Sequence, residues 1–235
     1  MRAVRRAVIG RRFLATAAVG ALALVAAGAA TAENYRFGRT HIDDSTAASV
    51  TLKPTDFPAA WRLHGGRTAP DETPITASCN GYRPRLSDLV VTGDAASVFT
   101  DPRHSIDVRS RVELFESAKM ARADFARQQP LLTARCGPVV ERERHLDVVG
   151  TYRNLGRWPC GCDDSEAVSF EVVSPRTASV HLVFVVTTIR FGRVEATVTT
   201  TVGTGVAADP AALHAAAEVE QAALESLRFR LVHTS

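Results

Sequence analysis

The densest group of reactive side chains in the sequence is the run Cys160-Gly161-Cys162-Asp163-Asp164. Two thiolates at this spacing can bind one soft metal ion, and the adjacent carboxylates could complete its coordination shell. However, the sequence contains no second C-x₂-C pair and no H-x₃-H partner, which structural zinc sites normally use. The pattern therefore favours disulfide chemistry over a metal site, and we predict no metal and no cofactor.

The chain has four cysteines, Cys79, Cys136, Cys160 and Cys162. An even number of cysteines in an oxidising compartment predicts two disulfides, and three connectivities are open. A bridge between Cys160 and Cys162 would close a very small ring, and strained bridges are more easily reduced than long-range ones. A redox role for this pair is therefore an alternative to a structural one.

A row of hydroxyl groups forms the second candidate site. Thr197, Thr199 and Thr201 alternate with other residues in a strand-like run, so they share one face, and Arg190 and Arg193 lie on the turn before them. This row is either an ordinary solvated sheet face or the lining of a cleft that binds the polar groups of a ligand. We take these five residues as the candidate ligand-binding residues.

Motifs of the common enzyme classes are absent from the sequence. There is no G-x-x-x-x-G-K-[ST] loop, and Gly203-Thr204-Gly205 lacks the third glycine of a dinucleotide-binding loop. No G-x-S-x-G motif indicates an α/β-hydrolase nucleophile. We therefore predict no catalytic residues and a non-enzymatic function. The alternative is an exported hydrolase whose catalytic residues converge only in the fold.

Residues 1–32 have the composition of a cleavable signal peptide. Several arginines precede an apolar run from Phe13 to Ala30, which ends in the cleavage pattern Ala30-Thr31-Ala32. The alternative is an uncleaved anchor helix, because a run of this length can just span a bilayer. The pair Arg11-Arg12 leaves the Sec and twin-arginine export routes open. We predict a secreted or extracytoplasmic mature protein with no stable membrane span.

Removal of this signal changes the charge balance. The full chain has 28 basic and 25 acidic residues and a net charge of +3. Five of the basic residues lie in residues 1–32, so the mature chain carries a charge of about −2 with histidine neutral. The composition therefore predicts no nucleic-acid partner, because nucleic-acid-binding domains carry a basic patch.

The mature chain is predicted to contain a flexible arm followed by one domain. Residues 33–51 are polar and predict the flexible N-terminal arm, whereas residues 52–235 form the single domain. Gly93-Asp94 is typical of a turn, and strands are predicted over 95–100 and 105–115.

Helical spacing then follows over 117–129, and further strands and a final helix close the chain. The later strands are predicted over 167–173, 179–189 and 194–202, and the final helix begins at Asp209-Pro210. This order predicts an α+β fold, in which an antiparallel β-sheet carries two main helices on one face and is stapled by disulfides.

Several features follow one another between Thr51 and Leu231. They are an opening segment with Leu52, Asp56-Phe57-Pro58 and Trp61, then Cys79, the strand end Val112-Glu113-Leu114-Phe115, an Ala-rich helix led by Ser117-Ala118 and followed by Cys136, and a hairpin with a terminal helix. This order resembles the PknH-like extracellular sensor domain family, which is found on a mycobacterial serine/threonine kinase and on free-standing exported actinobacterial proteins.

The resemblance implies a single α+β domain with two disulfides and a cleft that binds an unknown ligand. The matching bridge would join Cys79 to Cys136. Cys160 and Cys162 depart from the family pattern, in which the second pair is more widely separated. We therefore expect a secreted or cell-envelope binding or sensor module that recognises a small molecule, a lipid or a cell-wall fragment. An exported hydrolase and a structural envelope protein are the alternatives.

Overall fold

The computed structural model describes residues 36–63, 85–132, 139–143, 146–173, 181–204 and 210–234. The predicted signal peptide, Cys79 and Cys136 lie outside these ranges. No helix within the described ranges is both long and apolar enough to cross a membrane.

The described residues form three α-helices, one 3₁₀ helix and nine strands. The helices are α1 (His41–Val50), α2 (Ala118–Leu132) and α3 (Pro210–Thr234), and the 3₁₀ helix covers Pro54–Asp56. The strands are β1 (Arg36–Phe37), β2 (Arg62–Leu63), β3 (Val90–Asp101), β4 (Ile106–Phe115), β5 (Val139–Glu143), β6 (Leu146–Gly156), β7 (Asp164–Val173), β8 (His181–Phe191) and β9 (Val194–Thr204).

All of these strands join one sheet. Its order is β1-β3-β4-β9-β8-β7-β6-β5, and β2 pairs separately with β3. Only the two-residue strand β1 pairs in parallel, and the other pairings are antiparallel. The α+β class predicted from the sequence is therefore confirmed, and the hairpin of β8 and β9 and the final helix lie where the sequence predicts them.

The helices occupy both faces of the sheet, whereas the sequence predicts them on one. Helices α1 and α3 pack on the face that carries Val112, Ala196 and Val198. Helix α2 packs on the opposite face, where Ala121 contacts Phe115. The prediction was wrong on this point. The residues on the second face of β4 are charged, and because a charged face is typically exposed to solvent, the sequence predicts no helix there. Part of that charged face is instead covered by α2.

The segment predicted as a flexible arm contains an ordered helix. Ala47 and Val50 of α1 are fully buried in the main core. The Arg193 guanidinium forms a bidentate ion pair with the Asp43 carboxylate, with distances of 2.9 and 2.6 Å. The arm prediction is therefore wrong for the described part of 33–51. The arm prediction relied on the polar composition of this segment. It failed because α1 is held by two small apolar residues and one long-range ion pair, and these contacts do not make the segment hydrophobic.

Gly93 and Asp94 lie inside β3 and not in the predicted turn. A β-bulge between Val91 and Gly93 shifts the register of β3 against β4. A Cβ atom on Gly93 would lie 2.3 Å from the carbonyl carbon of Asp43, so α1 can approach the sheet here only because residue 93 has no side chain. The backbone N–H of Asp94 donates to Asp44 Oδ1 at 3.2 Å and thereby ties the helix to the strand.

Candidate functional site

A set of polar side chains lies on the α2 face of the sheet, in the middle of β4 and β9. Three cross-strand pairs form it, namely Arg111 with Thr197, Arg109 with Thr199, and Asp107 with Thr201. All six side chains are half-buried. We call these six residues the polar face.

The strand geometry brings the two sides of the polar face together. Residues directly opposite on antiparallel strands have Cβ atoms about 5 Å apart, so their side chains can contact the same ligand atom. The hydroxyl of Thr197 is hydrogen-bonded to that of Thr188 at 3.1 Å. At the other end, Asp107 accepts a hydrogen bond from the hydroxyl of Thr100. Thr199 therefore lies between a hydroxyl pair and an acidic end.

Two arginines lie on the polar face at neighbouring positions of the same side of β4. Burial lowers the pKa of Arg109, and the charge of Arg111 lowers it further. The Nη2 atom of Arg111 lies 2.9 Å from Glu113 Oε1, and its Nε lies 3.6 Å from Asp94 Oδ1. Arginine keeps its charge in proteins, so Arg109 remains a cation on the polar face and can bind an anion.

Arg190 and Arg193, which the sequence groups with the threonines as candidate ligand-binding residues, lie outside the polar face. The Arg190 side chain is 3% exposed, and it donates from Nη1 to Asp163 at 3.1 Å and from Nε to Asp164 at 2.9 Å. Arg193 is held by Asp43. Both arginines stabilise the fold through these ion pairs, and neither contributes its guanidinium to the threonine row.

A buried group of carboxyls lies next to the polar face, beneath α2. It consists of Glu113 of β4, its cross-strand partner Glu195 of β9, and Asp124 of α2, with exposed fractions of 7%, 1% and 0%. We call these three residues the carboxyl cluster. Burial raises the pKa of Glu113 to about 7; the Arg111 charge opposes this shift, and the charges of Asp124 and Asp94 add to it. Burial also raises the pKa of Glu195, with further contributions from Asp124 and Glu113.

Carboxyl groups with raised pKa values are typical of general acids in enzymes. In this protein the three side chains are enclosed between α2 and the sheet. A substrate could not contact them without displacement of the helix. The arrangement therefore favours a role in holding α2 over a role in catalysis.

A groove of about 310 Å³ lies beside β3, and its lining includes Thr51, Leu52, Lys53 and Ser97. Asp94 of β3 also lines it, and the Asp94 carboxylate lies 3.6 Å from Nε of Arg111 on the polar face. The remaining lining is mostly apolar, which suits the apolar part of a ligand.

Cys160 and Cys162 are paired with each other in a disulfide, with Cα atoms 5.1 Å apart. Their loop leads directly into the two aspartates that hold Arg190. Among the described residues, no group of three or more His, Cys, Asp or Glu side chains is arranged to hold a metal ion. The predicted bridge between Cys79 and Cys136 lies outside those residues.

The sequence identified the threonine side of the polar face but not its arginine side. The alternation in β4 does place Arg109 and Arg111 on one face. However, a pattern along one strand does not show which strand lies beside it, and β4 and β9 are far apart in the chain. Only a prediction of the strand order, with β4 beside β9, could have placed the two arginines opposite the threonines.

No family model matches the sequence, and no curated protein matches it. Among solved structures, the chain is similar to the extracellular domain of PknH from Mycobacterium tuberculosis, with a TM-score of 0.48 and 14% identity, covering 77% of this chain and 96% of that one. It is also similar to an Rv0999 ortholog from Mycobacterium smegmatis, with a TM-score of 0.44 and 12% identity, covering 80% of this chain and all of that one. At 12–14% identity these are similarities in backbone fold, and they do not establish family membership.

Proposed function

We propose that this protein is a non-enzymatic binding module that works outside the cytoplasm and recognises a small ligand through an anionic group. The anionic group would bind on the polar face, between the guanidinium of Arg109 and the hydroxyls of Thr199 and Thr197. The observation that carries the proposal is the position of Arg109, which is half-buried beside a second arginine and across from the threonine row.

The side chains of this site suit a carboxylate or a phosphate. A guanidinium can donate two parallel hydrogen bonds to either group, and a threonine hydroxyl adds a third donor. Partial burial strengthens these bonds because the local dielectric constant is lower than that of water. Thr201 lies opposite the Asp107 carboxylate, which would repel an anion, so the site is centred on Arg109 and Thr199.

Two further features support a binding role outside the cytoplasm. The disulfide between Cys160 and Cys162 fits an oxidising compartment, as does the predicted export signal. The carboxyl cluster, which would be the strongest candidate for acid–base catalysis, is enclosed beneath α2. These observations favour a binding module over an exported hydrolase.

The test is a titration of the purified protein with inorganic phosphate and, separately, with acetate, followed by amide chemical shifts in NMR spectra. We expect saturable shifts around Thr199 with at least one of these anions. Arg109→Gln should weaken that binding at least tenfold, and Thr199→Val, which removes only the hydroxyl, should weaken it about fivefold. The matched control is Arg103→Gln in the exposed turn after β3, which should bind like the wild type.

The two anions separate a phosphate ligand from a carboxylate ligand, since the better probe identifies the class. Equal binding by the wild type and by Arg109→Gln would overturn the proposal. Absence of saturable shifts with both anions would overturn it as well.

A further inference from the structure

The carboxyl cluster places acids of α2 and of the sheet together in a buried position. Asp124 of α2 and Glu195 of β9 are 0% and 1% exposed, and Asp124 contributes to the raised pKa of Glu195. Two carboxylates enclosed close to each other repel when both are ionised, so this arrangement favours a state in which one of them is protonated. The contact between helix and sheet is therefore linked to a proton.

Charged groups on three strands act on the cluster. They are Asp94 of β3, Arg111 of β4 and Arg190 of β8. Both arginines are shared with carboxylates outside the cluster, because Arg111 also faces Asp94 and Arg190 is paired with Asp164. These cations therefore do not neutralise three ionised carboxylates beneath α2.

Apolar contacts and one ion pair also hold α2. Ala121 and Phe125 of the helix are buried, with exposed fractions of 0% and 3%. Arg127 of the helix forms a bidentate ion pair with Asp88. These contacts do not involve the protons of the carboxyl cluster. Ionisation of the buried carboxyls adds a repulsion that weakens the docking of α2, so the change in docking with pH comes from the cluster.

We propose that α2 is a proton-dependent element, docked on the sheet while the carboxyl cluster holds its protons and loosened when the cluster ionises. The direction of the effect follows from linkage. A buried acid that takes up its proton more readily when α2 is docked favours the docked state at low pH, and this preference is lost as the pH rises. This inference does not depend on anion binding at the polar face, although α2 borders that face.

The size of the effect can be stated for Glu113 alone. Its pKa of about 7 in the docked state compares with 4.5 for a solvated glutamate. If opening of α2 exposes this side chain to water, the opening equilibrium constant should rise roughly 70-fold between pH 5 and pH 8. Most of the rise should occur below pH 7, and the curve should flatten above it.

Hydrogen exchange of the backbone amides, corrected for the intrinsic pH dependence of exchange, measures this opening. Protection in α2 should fall by about two orders of magnitude between pH 5 and pH 8, relative to α1, whose buried acidic residue Asp43 titrates below this range. Glu113→Gln keeps a hydrogen-bond donor and acceptor but removes the titrating proton on which this magnitude is based, so it should flatten the curve. Glu116→Gln, at an exposed position next to β4, should behave like the wild type.

Protection of α2 that follows α1 at every pH would overturn the proposal, as would an unchanged pH dependence in Glu113→Gln. Infrared spectroscopy of the wild type gives a second measurement that does not need a folded variant. The C=O stretch of buried protonated carboxyls should be present at pH 5 and should decline towards pH 8. Fully ionised carboxyls at pH 5 would contradict the proposal.

Discussion

Replacement of Glu113 by glutamine should make the whole domain less sensitive to rising pH. The pKa of Glu113 is about 7 in the folded protein, against a usual value of 4.5. Because the folded state binds this proton more tightly, its stabilising effect is complete below pH 4.5 and is lost as the pH rises towards 7. Glutamine resembles the protonated acid but cannot ionise, so the variant should keep its stability over this range.

The expected magnitude follows from the two pKa values. Their difference corresponds to about 3 kcal/mol of unfolding free energy, since one pKa unit is worth about 1.4 kcal/mol. Solvent screening reduces this free-energy difference only a little, because Glu113 is 7% exposed. Over pH 4.5 to 8 the wild type should therefore lose about 3 kcal/mol more than Glu113→Gln does.

Urea denaturation followed by far-UV circular dichroism at several pH values provides the assay. For each protein, the change in unfolding free energy between two pH values is measured, and these changes are then compared. Any effect of the glutamine side chain that does not depend on pH cancels in this comparison. Glu116→Gln, at an exposed position, serves as the control and should follow the wild type. Parallel curves for the wild type and Glu113→Gln would refute the argument that burial holds the proton on this side chain.

Two further changes test the packing of α1. Arg193→Gln should lower the unfolding free energy at pH 7 by about 1–2 kcal/mol, less than an enclosed pair would lose, because the Arg193 side chain is 39% exposed. The hydrogen bonds from Arg193 lower the pKa of Asp43 to about 2, so this stabilisation should be present above pH 4 and lost as the pH falls through 2, and acid titration of both proteins checks the difference. Gly93→Ala should cost about 2–4 kcal/mol in thermal or urea unfolding, because its Cβ would lie 2.3 Å from the Asp43 carbonyl carbon. In Gly203→Ala the nearest atoms would lie at 3.7 Å, so a similar loss there would contradict the steric explanation.

The central strands could be predicted from the sequence because their alternation is strong. In β4, apolar residues such as Val108 and Val112 alternate with charged ones such as Arg109 and Glu113, and the structure follows this pattern. The alternation could not show that a helix covers part of the charged face. That arrangement depends on Asp124, a residue of another element that meets the two glutamates only in the folded chain.

The N-terminal segment shows a second limit of local patterns. Helix α1 has few apolar residues, and its position is determined by the bidentate pair between Asp43 and Arg193 and by the missing side chain of Gly93. Both contacts join residues that are far apart in the sequence. The sequence also predicts Arg190 and Arg193 as ligand-binding residues, because it does not show that Asp163, Asp164 and Asp43 already bind them.

Native mass spectrometry of the protein purified from its own host tests anion recognition at the polar face most directly. The wild type should retain a co-purifying small molecule that carries a carboxylate or a phosphate, and Arg109→Gln should lose that mass while Arg103→Gln retains it. Retention of the same molecule by Arg109→Gln, or a wild type that carries no bound mass, would contradict the account.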